Sequence, residues 1–100
     1  MHAVRVQYTV RPDFVATNEA NIRAVMDELR ALGDVGVYYS AFRLGDGATF
    51  LHLVVMDDVN LAGIVPGLDA FKVFRAALRE GLQAPPTDET WTVVGTSFAS

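Results

Sequence analysis

The segment VYYSAFRLGDGATFLHLVVM, residues 37–56, decides the fold. It holds two runs of strand-forming residues separated by Gly45-Asp46-Gly47-Ala48. An Asp-Gly pair favours a tight hairpin turn of type I′, in which both central residues have a positive φ. With Asp46 and Gly47 as the loop, Ala41 opposes His52 and Phe42 opposes Leu51. The segment therefore predicts an antiparallel hairpin with strands at 36–44 and 49–56.

A strand and a helix are predicted before this hairpin. Residues 4–10 alternate apolar and polar side chains with period two, which indicates a strand, and Pro12 ends it. Asp13 or Thr17 can cap the helix that follows. Its apolar side chains recur every three or four residues, and Gly33 is placed to end it.

A second helix is predicted over residues 68–81 and a fourth strand over 90–98. The connection between the hairpin and this helix has an apolar middle, and it forms either a lid over a cleft or a buried plug. The order is strand, helix, strand, strand, helix, strand. Right-handed crossovers then place both helices on one face of a four-stranded antiparallel sheet. The fold class is therefore α+β, a ferredoxin-like βαββαβ arrangement in a single domain over residues 1–100.

Composition excludes several kinds of function. Twelve acidic and eight basic residues give a net charge of −4, which disfavours nucleic acid as a partner. Without cysteine there is no disulfide or thiolate metal site, and two distant histidines form no metal centre. No apolar stretch approaches the ~20 residues of a membrane helix. We expect a cytoplasmic protein with no metal and no membrane partner.

The hairpin carries large apolar side chains on both of its faces, although the two helices cover only one. Burying each such side chain is worth roughly 1.5–3 kcal/mol. The sequence therefore predicts a homodimer in which two sheets pack face to face. The alternative is that strand ends and loops cover the second face.

The chain resembles the dimeric α/β-barrel superfamily that contains the antibiotic-biosynthesis monooxygenases, and within it small uncharacterised proteins of actinobacterial type. The residues that carry this resemblance span nearly the whole length: Val10-Arg11-Pro12, Asn18-Glu19, Asn21-Ile22, residues 42–47, residues 49–53, Leu68-Asp69-Ala70-Phe71 and Phe74.

The resemblance implies a cleft between sheet and helices that holds a flat organic molecule or haem. Cofactor-free oxygenases of the superfamily act on polyphenols: a base removes a phenolic proton, the anion reacts with dioxygen, and nearby donors stabilise charge. This chain departs from that pattern. Its only Trp, Trp91, opens the fourth strand, the segment after the third strand offers only Asn60, and the second helix has no His to ligate haem. No cofactor is therefore expected.

Three residues of the hairpin are candidates for catalysis. In the predicted register His52 shares a face with Tyr39 and Arg43, both diagonal to it. His52 could take a proton, Tyr39 could donate to an oxyanion, and Arg43 could hold an anionic substrate. Alternatively, His52 is a structural residue in a dimer interface and Arg43 pairs with a carboxylate, which is the commoner outcome for buried polar groups.

A small aromatic ligand is the expected partner of the cleft, with Trp91, Asn60 and Phe71 as candidate binding residues. Three functions stay open: a cofactor-independent monooxygenase or an isomerase acting on an aromatic or polyketide-like molecule; a ligand-binding or regulatory module like the ACT domains; and a structural dimer whose cleft is filled by its own side chains.

Overall fold

The computed structural model describes residues 1–97. Short 3-10 turns precede the first two helices, at Pro12–Phe14 and Val59–Gly63. The order of elements confirms the predicted βαββαβ plan, with one short helix, α2, added before the second long one. The elements are β1 (His2–Thr9), α1 (Val15–Ala31), β2 (Val37–Arg43), β3 (Thr49–Met56), α2 (Ile64–Gly67), α3 (Asp69–Gly81) and β4 (Thr87–Thr92).

The four strands form one antiparallel sheet in the order β2-β3-β1-β4. The predicted hairpin register is confirmed, since Ala41 lies opposite His52. The predicted type I′ turn is wrong, because within residues 1–97 only glycines have a positive φ, here Gly47 at +80°. Asp46 shapes the turn instead: its carboxylate accepts hydrogen bonds from the backbone N–H groups of Ala48 and Thr49 at 3.0 and 2.8 Å.

The helix α1 begins differently from the sequence prediction. The chain enters it through the turn at Pro12–Phe14, and the residue before the helix, Phe14, makes no side-chain capping bond. Neither Asp13 nor Thr17 is the cap; Asp13 instead accepts a hydrogen bond from Arg11 at 3.2 Å. The predicted end is confirmed, since Gly33 follows the helix with a φ of +80°.

The first turn of α3 is capped by a side chain from α1. The two carboxylate oxygens of Glu28 accept hydrogen bonds from the N–H groups of Asp69 and Ala70, at 3.1 and 2.7 Å. These groups have no partner within their own helix, and a carboxylate also suits the positive end of the helix dipole. Glu28 therefore fixes the position of α3 relative to α1.

The strand β4 is shorter and earlier than predicted. It pairs with β1 from Gln7↔Thr87 to His2↔Thr92, so the end of β1 sets the end of β4. Residues 93–97 continue past the sheet, and Phe98, which the prediction included, lies outside the described residues.

Alternation along the strands separates two faces of the sheet. We call the face under α1 and α3 the covered face; it includes Tyr8, Tyr39, Phe50, His52 and Val54. We call the other the open face; it includes Arg5, Gln7, Tyr38, Ser40, Phe42, Leu51, Leu53, Glu89 and Trp91.

The core lies between the covered face and the helices. Phe50 and Val10 are almost fully buried there against Val25 of α1 and Phe74 of α3. No helix within residues 1–97 is long and apolar enough to cross a membrane.

Candidate functional site

A cavity of about 580 Å³ lies between the covered face and the helices α2 and α3. Most of its wall is apolar. Three polar side chains face it from the sheet, two of them buried and the third, Tyr39, partly buried, and three exposed charged residues stand at its edge, which we call the mouth. The apolar wall includes Val4, Val6, Val54, Met56, Val65, Phe71, Phe74 and Leu78; the sheet contributes Tyr8, Tyr39 and His52; the mouth has Arg75, Arg79 and Asp88.

The three polar residues of the sheet belong to one hydrogen-bonded chain, which we call the polar chain. Asn18 Nδ2 donates to Tyr8 Oη at 2.9 Å. Tyr8 Oη lies 2.7 Å from His52 Nε2, and Tyr39 Oη lies 2.6 Å from His52 Nδ1. Both imidazole nitrogens are therefore occupied by tyrosine hydroxyls, and a ligand in the cavity meets His52 through Tyr39 or Tyr8.

The register of the sheet creates this arrangement. His52 sits in the central strand β3 between Val6 of β1 and Ala41 of β2. Tyr8 is two residues after Val6 and Tyr39 is two residues before Ala41, so each is diagonal to His52 and within reach of a long side chain. Phe74 covers the imidazole from α3, with ring centroids 5.5 Å apart.

Burial keeps the polar chain uncharged. His52 is 3% exposed, and its desolvation lowers the pKa of the imidazole to about 4. Burial also raises the pKa of the Tyr8 hydroxyl, an effect that the hydrogen bond from Asn18 partly opposes, and burial raises that of Tyr39. At neutral pH the polar chain therefore consists of uncharged hydrogen-bond donors and acceptors.

The structure brings Tyr39 and His52 together and leaves Arg43 apart from them. Arg43 is on the covered face, but at the end of β2, where its guanidinium donates to Glu19 of α1 at 2.8 Å. Its side chain is half exposed. The exposed strand end and the nearby carboxylate draw it away from His52.

The three predicted binding residues are also separated. Phe71 lines the cavity. Trp91 does not line the cavity. It lies opposite Ala3 in the pairing of β4 with β1, so its side chain is on the open face, where it contacts the guanidinium of Arg5. Asn60 lies in an exposed turn, where its backbone N–H binds the carboxylate of Asp58.

Sequence analysis missed Tyr8 and Asn18 as members of the site. The register of β1 against β3, which brings Tyr8 beside His52, was not predicted. Asn18 did leave a signal: it stands four residues before Ile22, in line with the buried stripe that continues through Val25 and Leu29. A polar residue in an apolar stripe needs a buried partner.

A second, more open groove of about 710 Å³ lies between α1 and β2. Tyr39 lines both spaces, whereas Tyr8 and His52 face only the smaller one. We therefore place the candidate site in the smaller cavity. Over the described part of the chain, no group of three or more His, Asp and Glu side chains could hold a metal ion.

No protein-family model and no curated protein matches this chain. Solved structures do match. A structure described as an antibiotic biosynthesis monooxygenase aligns with a TM-score of 0.79 at 13% identity, over 95% of this chain and 100% of that one. The chain has the fold of the antibiotic biosynthesis monooxygenases.

Two further matches differ in whether their function is known. SnoaB, a cofactor-independent oxygenase from Streptomyces nogalater, aligns with a TM-score of 0.70 at 16% identity, over 98% of this chain and 97% of its own. A protein of unknown function from Nitrosomonas europaea aligns with a TM-score of 0.79 at 16% identity, over 99% and 94%. At such identities the likeness establishes the fold alone. The organisms of these matches show that the fold is not restricted to actinobacteria.

Proposed function

We propose that this protein is a cofactor-independent oxygenase acting on a phenolic aromatic or polyketide-like molecule held in the cavity. The observation that carries the proposal is a chain of neutral hydroxyl and imidazole groups, buried except at its Tyr39 end, that reaches an otherwise apolar cavity. Such cavities, with few convergent polar groups, are typical of small-molecule sites. The fold shared with SnoaB supports the same class of reaction.

The mouth favours a ligand with an acidic substituent. Arg75 and Arg79 stand one helical turn apart on α3 and line the cavity, and within residues 1–97 neither forms an ion pair. Asp88 faces them from β4, so an acidic group on the ligand should turn towards α3. In this proposal the two arginines take the anion-binding role that the sequence suggested for Arg43.

The proposed reaction converts a methylene group of an enolisable ketone into a carbonyl. The enol, a phenol, loses its proton to give an anion, which transfers one electron to dioxygen. The resulting radical and superoxide combine to a hydroperoxide, which loses water. One dioxygen is consumed, and the products are the new carbonyl and one water. Tyr39 would contact the oxygen of the anion, and His52 would act through Tyr39.

We also propose that the protein is a homodimer joined through its open faces. On β2 and β3 this face presents Phe42, which is 52% exposed, beside Leu51 and Leu53. On β1 and β4 it presents an Arg5–Glu89 ion pair at 2.9 Å, with Trp91 beside it. A two-fold contact uses the same surface on both copies. The apolar half of one open face can then pack against the apolar half or the polar half of the other.

Anthrone tests the oxygenase proposal, because its enol is a three-ring phenol. We expect oxygen uptake above the uncatalysed rate and anthraquinone that carries one atom from ¹⁸O₂. Tyr39→Phe should lower the rate at least tenfold, whereas Tyr38→Phe, the same change on the open face, should retain it. Equal rates for both variants would contradict the role of Tyr39, and a rearranged product without oxygen uptake would point to an isomerase.

A specific observation also favours a second function, a non-catalytic ligand-binding module. Both nitrogens of His52 are occupied and its pKa is about 4, so the imidazole is a weak base with no free position. Stoichiometric binding of 6-hydroxy-2-naphthoate in the cavity, with no turnover of anthrone, would select this alternative over the oxygenase.

A further inference from the structure

The amide of Asn18 has a fixed sense. Its side chain is fully buried, Nδ2 donates to Tyr8, and within residues 1–97 its Oδ1 has no hydrogen-bond partner. Turning the amide over would instead bury an NH₂ group with two unsatisfied protons. The observed sense leaves the carbonyl and one N–H proton without a partner, which is less costly than two unpartnered N–H protons, because buried N–H groups without partners are the rarer case. Asn18 is therefore a donor to Tyr8.

The sense of Asn18 determines the next hydrogen bond. Tyr8 Oη already accepts from Asn18, and Tyr8 is only 4% exposed, so its own proton needs a buried acceptor. Among the described residues that acceptor is His52 Nε2, at 2.7 Å. A neutral imidazole has one N–H donor and one acceptor nitrogen. With Nε2 as the acceptor, the ring proton is on Nδ1.

The tautomer in turn determines what Tyr39 offers. Nδ1–H donates to Tyr39 Oη at 2.6 Å, so the hydroxyl proton of Tyr39 has no acceptor within the polar chain. Tyr39 lines the cavity and is only partly buried. Its proton is free to point at a bound molecule.

We infer that the polar chain is polarised towards the cavity, from Asn18 through Tyr8 and His52 to Tyr39, so that Tyr39 donates to an acceptor oxygen of the ligand. Asn18 is the positioning residue that sets this direction. The ligand atom beside Tyr39 is then a phenolate or carbonyl oxygen, and a ligand presenting only an N–H or O–H donor there is disfavoured. The ligand's role rests on the proposed function; the tautomer does not.

This direction also changes the role of His52. Because Nδ1 already holds its proton and Nε2 accepts from Tyr8, the imidazole cannot take a proton from a ligand through Tyr39. The polar chain instead stabilises an anion that is already formed, and the phenolic proton leaves to solvent at the mouth.

A long-range ¹H–¹⁵N NMR spectrum of the ligand-free, ¹⁵N-labelled protein at pH 7 tests the inference. The chain has two histidines, and His2→Gln assigns the signals of His52. We expect a neutral ring with a protonated Nδ1 and a bare Nε2. A ring protonated on Nε2 would overturn the inference. Oxygenase activity plays no part in this readout, so a correct tautomer without activity would refute only the proposed function.

Asn18→Asp tests the part played by Asn18. An ionised carboxylate can only accept hydrogen bonds, so the hydroxyl of Tyr8 would donate to it. Tyr8 Oη would then accept a hydrogen bond from a protonated Nε2 of His52. As pH rises from 6 to 9, the His52 signals should move to the Nε2–H pattern. An Nδ1–H ring throughout that range would contradict the role of Asn18. If the variant does not fold, the wild-type spectrum still decides the direction.

Discussion

On the hairpin, both faces of the sheet carry large apolar side chains, and the two faces differ in how their polar groups are satisfied. On the covered face, Tyr8 and Tyr39 are each hydrogen-bonded to the buried His52, beside a cavity. On the open face, Arg5 and Glu89 form an ion pair near solvent. Buried, mutually satisfied polar groups have perturbed pKa values and mark candidate sites.

This contrast assigns different tasks to the faces. In our proposal the covered face provides a ligand cavity with fixed donors and acceptors, whereas the open face provides the surface for a second copy of the chain. Neighbouring residues on one strand alternate between these tasks, so matched substitutions at adjacent positions can separate them.

Adjacent positions in β3 give the largest expected contrast. Phe50→Ala removes a ring that is 2% exposed and should lower the free energy of unfolding by about 3–5 kcal/mol at any protein concentration. Leu51→Ala, on the open face, should mainly weaken the dimer, so its effect should grow with protein concentration. Urea denaturation at two concentrations measures both. Equal, concentration-independent losses would remove the distinction between the faces.

Acid should destabilise the protein through His52. The unfolded chain takes up a proton near the ordinary pKa of 6.5, whereas the folded chain resists it until about 4. The unfolded state therefore binds more protons in this window, and stability should fall by about 3 kcal/mol as pH drops from 7 to 4. Urea denaturation along this pH series checks the fall. His52→Gln should flatten it; an unchanged slope in that variant would assign the effect to other groups.

Two neighbouring tyrosines in β2 test the polar chain without a ligand. Tyr39→Phe leaves one nitrogen of the buried His52 without a partner, which should cost about 1–3 kcal/mol. Tyr38→Phe, on the open face, should cost less than Tyr39→Phe, because Tyr38 is not part of the polar chain. Thermal unfolding of both variants measures the difference, and a larger loss for Tyr38→Phe would reverse the account.

The packing of α3 beside α1 over the covered face depends in part on Glu28. Glu28→Ala removes the cap of α3 and should lower the free energy of unfolding by about 1 kcal/mol. The adjacent Asp27→Ala breaks only an exposed ion pair with Arg30 and should cost a few tenths of that. Chemical denaturation of the pair compares them; equal losses would argue against the cap.

Strand periodicity and hairpin register could be predicted because they depend on local pattern. The register placed Tyr39 on the same face as His52, and the structure brings the two into contact. Contacts between distant segments could not be predicted. Whether Arg43 meets His52 or Glu19 depends on where α1 lies, and the face that Trp91 occupies depends on how β4 pairs with β1.

The membership of Tyr8 and Asn18 in the site depends on the same kind of contact. Each side chain looks like ordinary strand or helix packing until β1, β3 and α1 are brought together. The predicted turn type at Asp46 was wrong for a different reason. The Asp46 carboxylate accepts local hydrogen bonds from the backbone, and these favour a different backbone conformation from the expected one.

The most direct test of ligand binding at the covered face is an NMR titration of methyl-labelled protein with 6-hydroxy-2-naphthoate. We predict shifts at Val54 and Leu78, which line the cavity, and none at Leu51 and Leu53 of the open face. Shifts confined to Leu51 and Leu53, or no shifts at any methyl group, would contradict it.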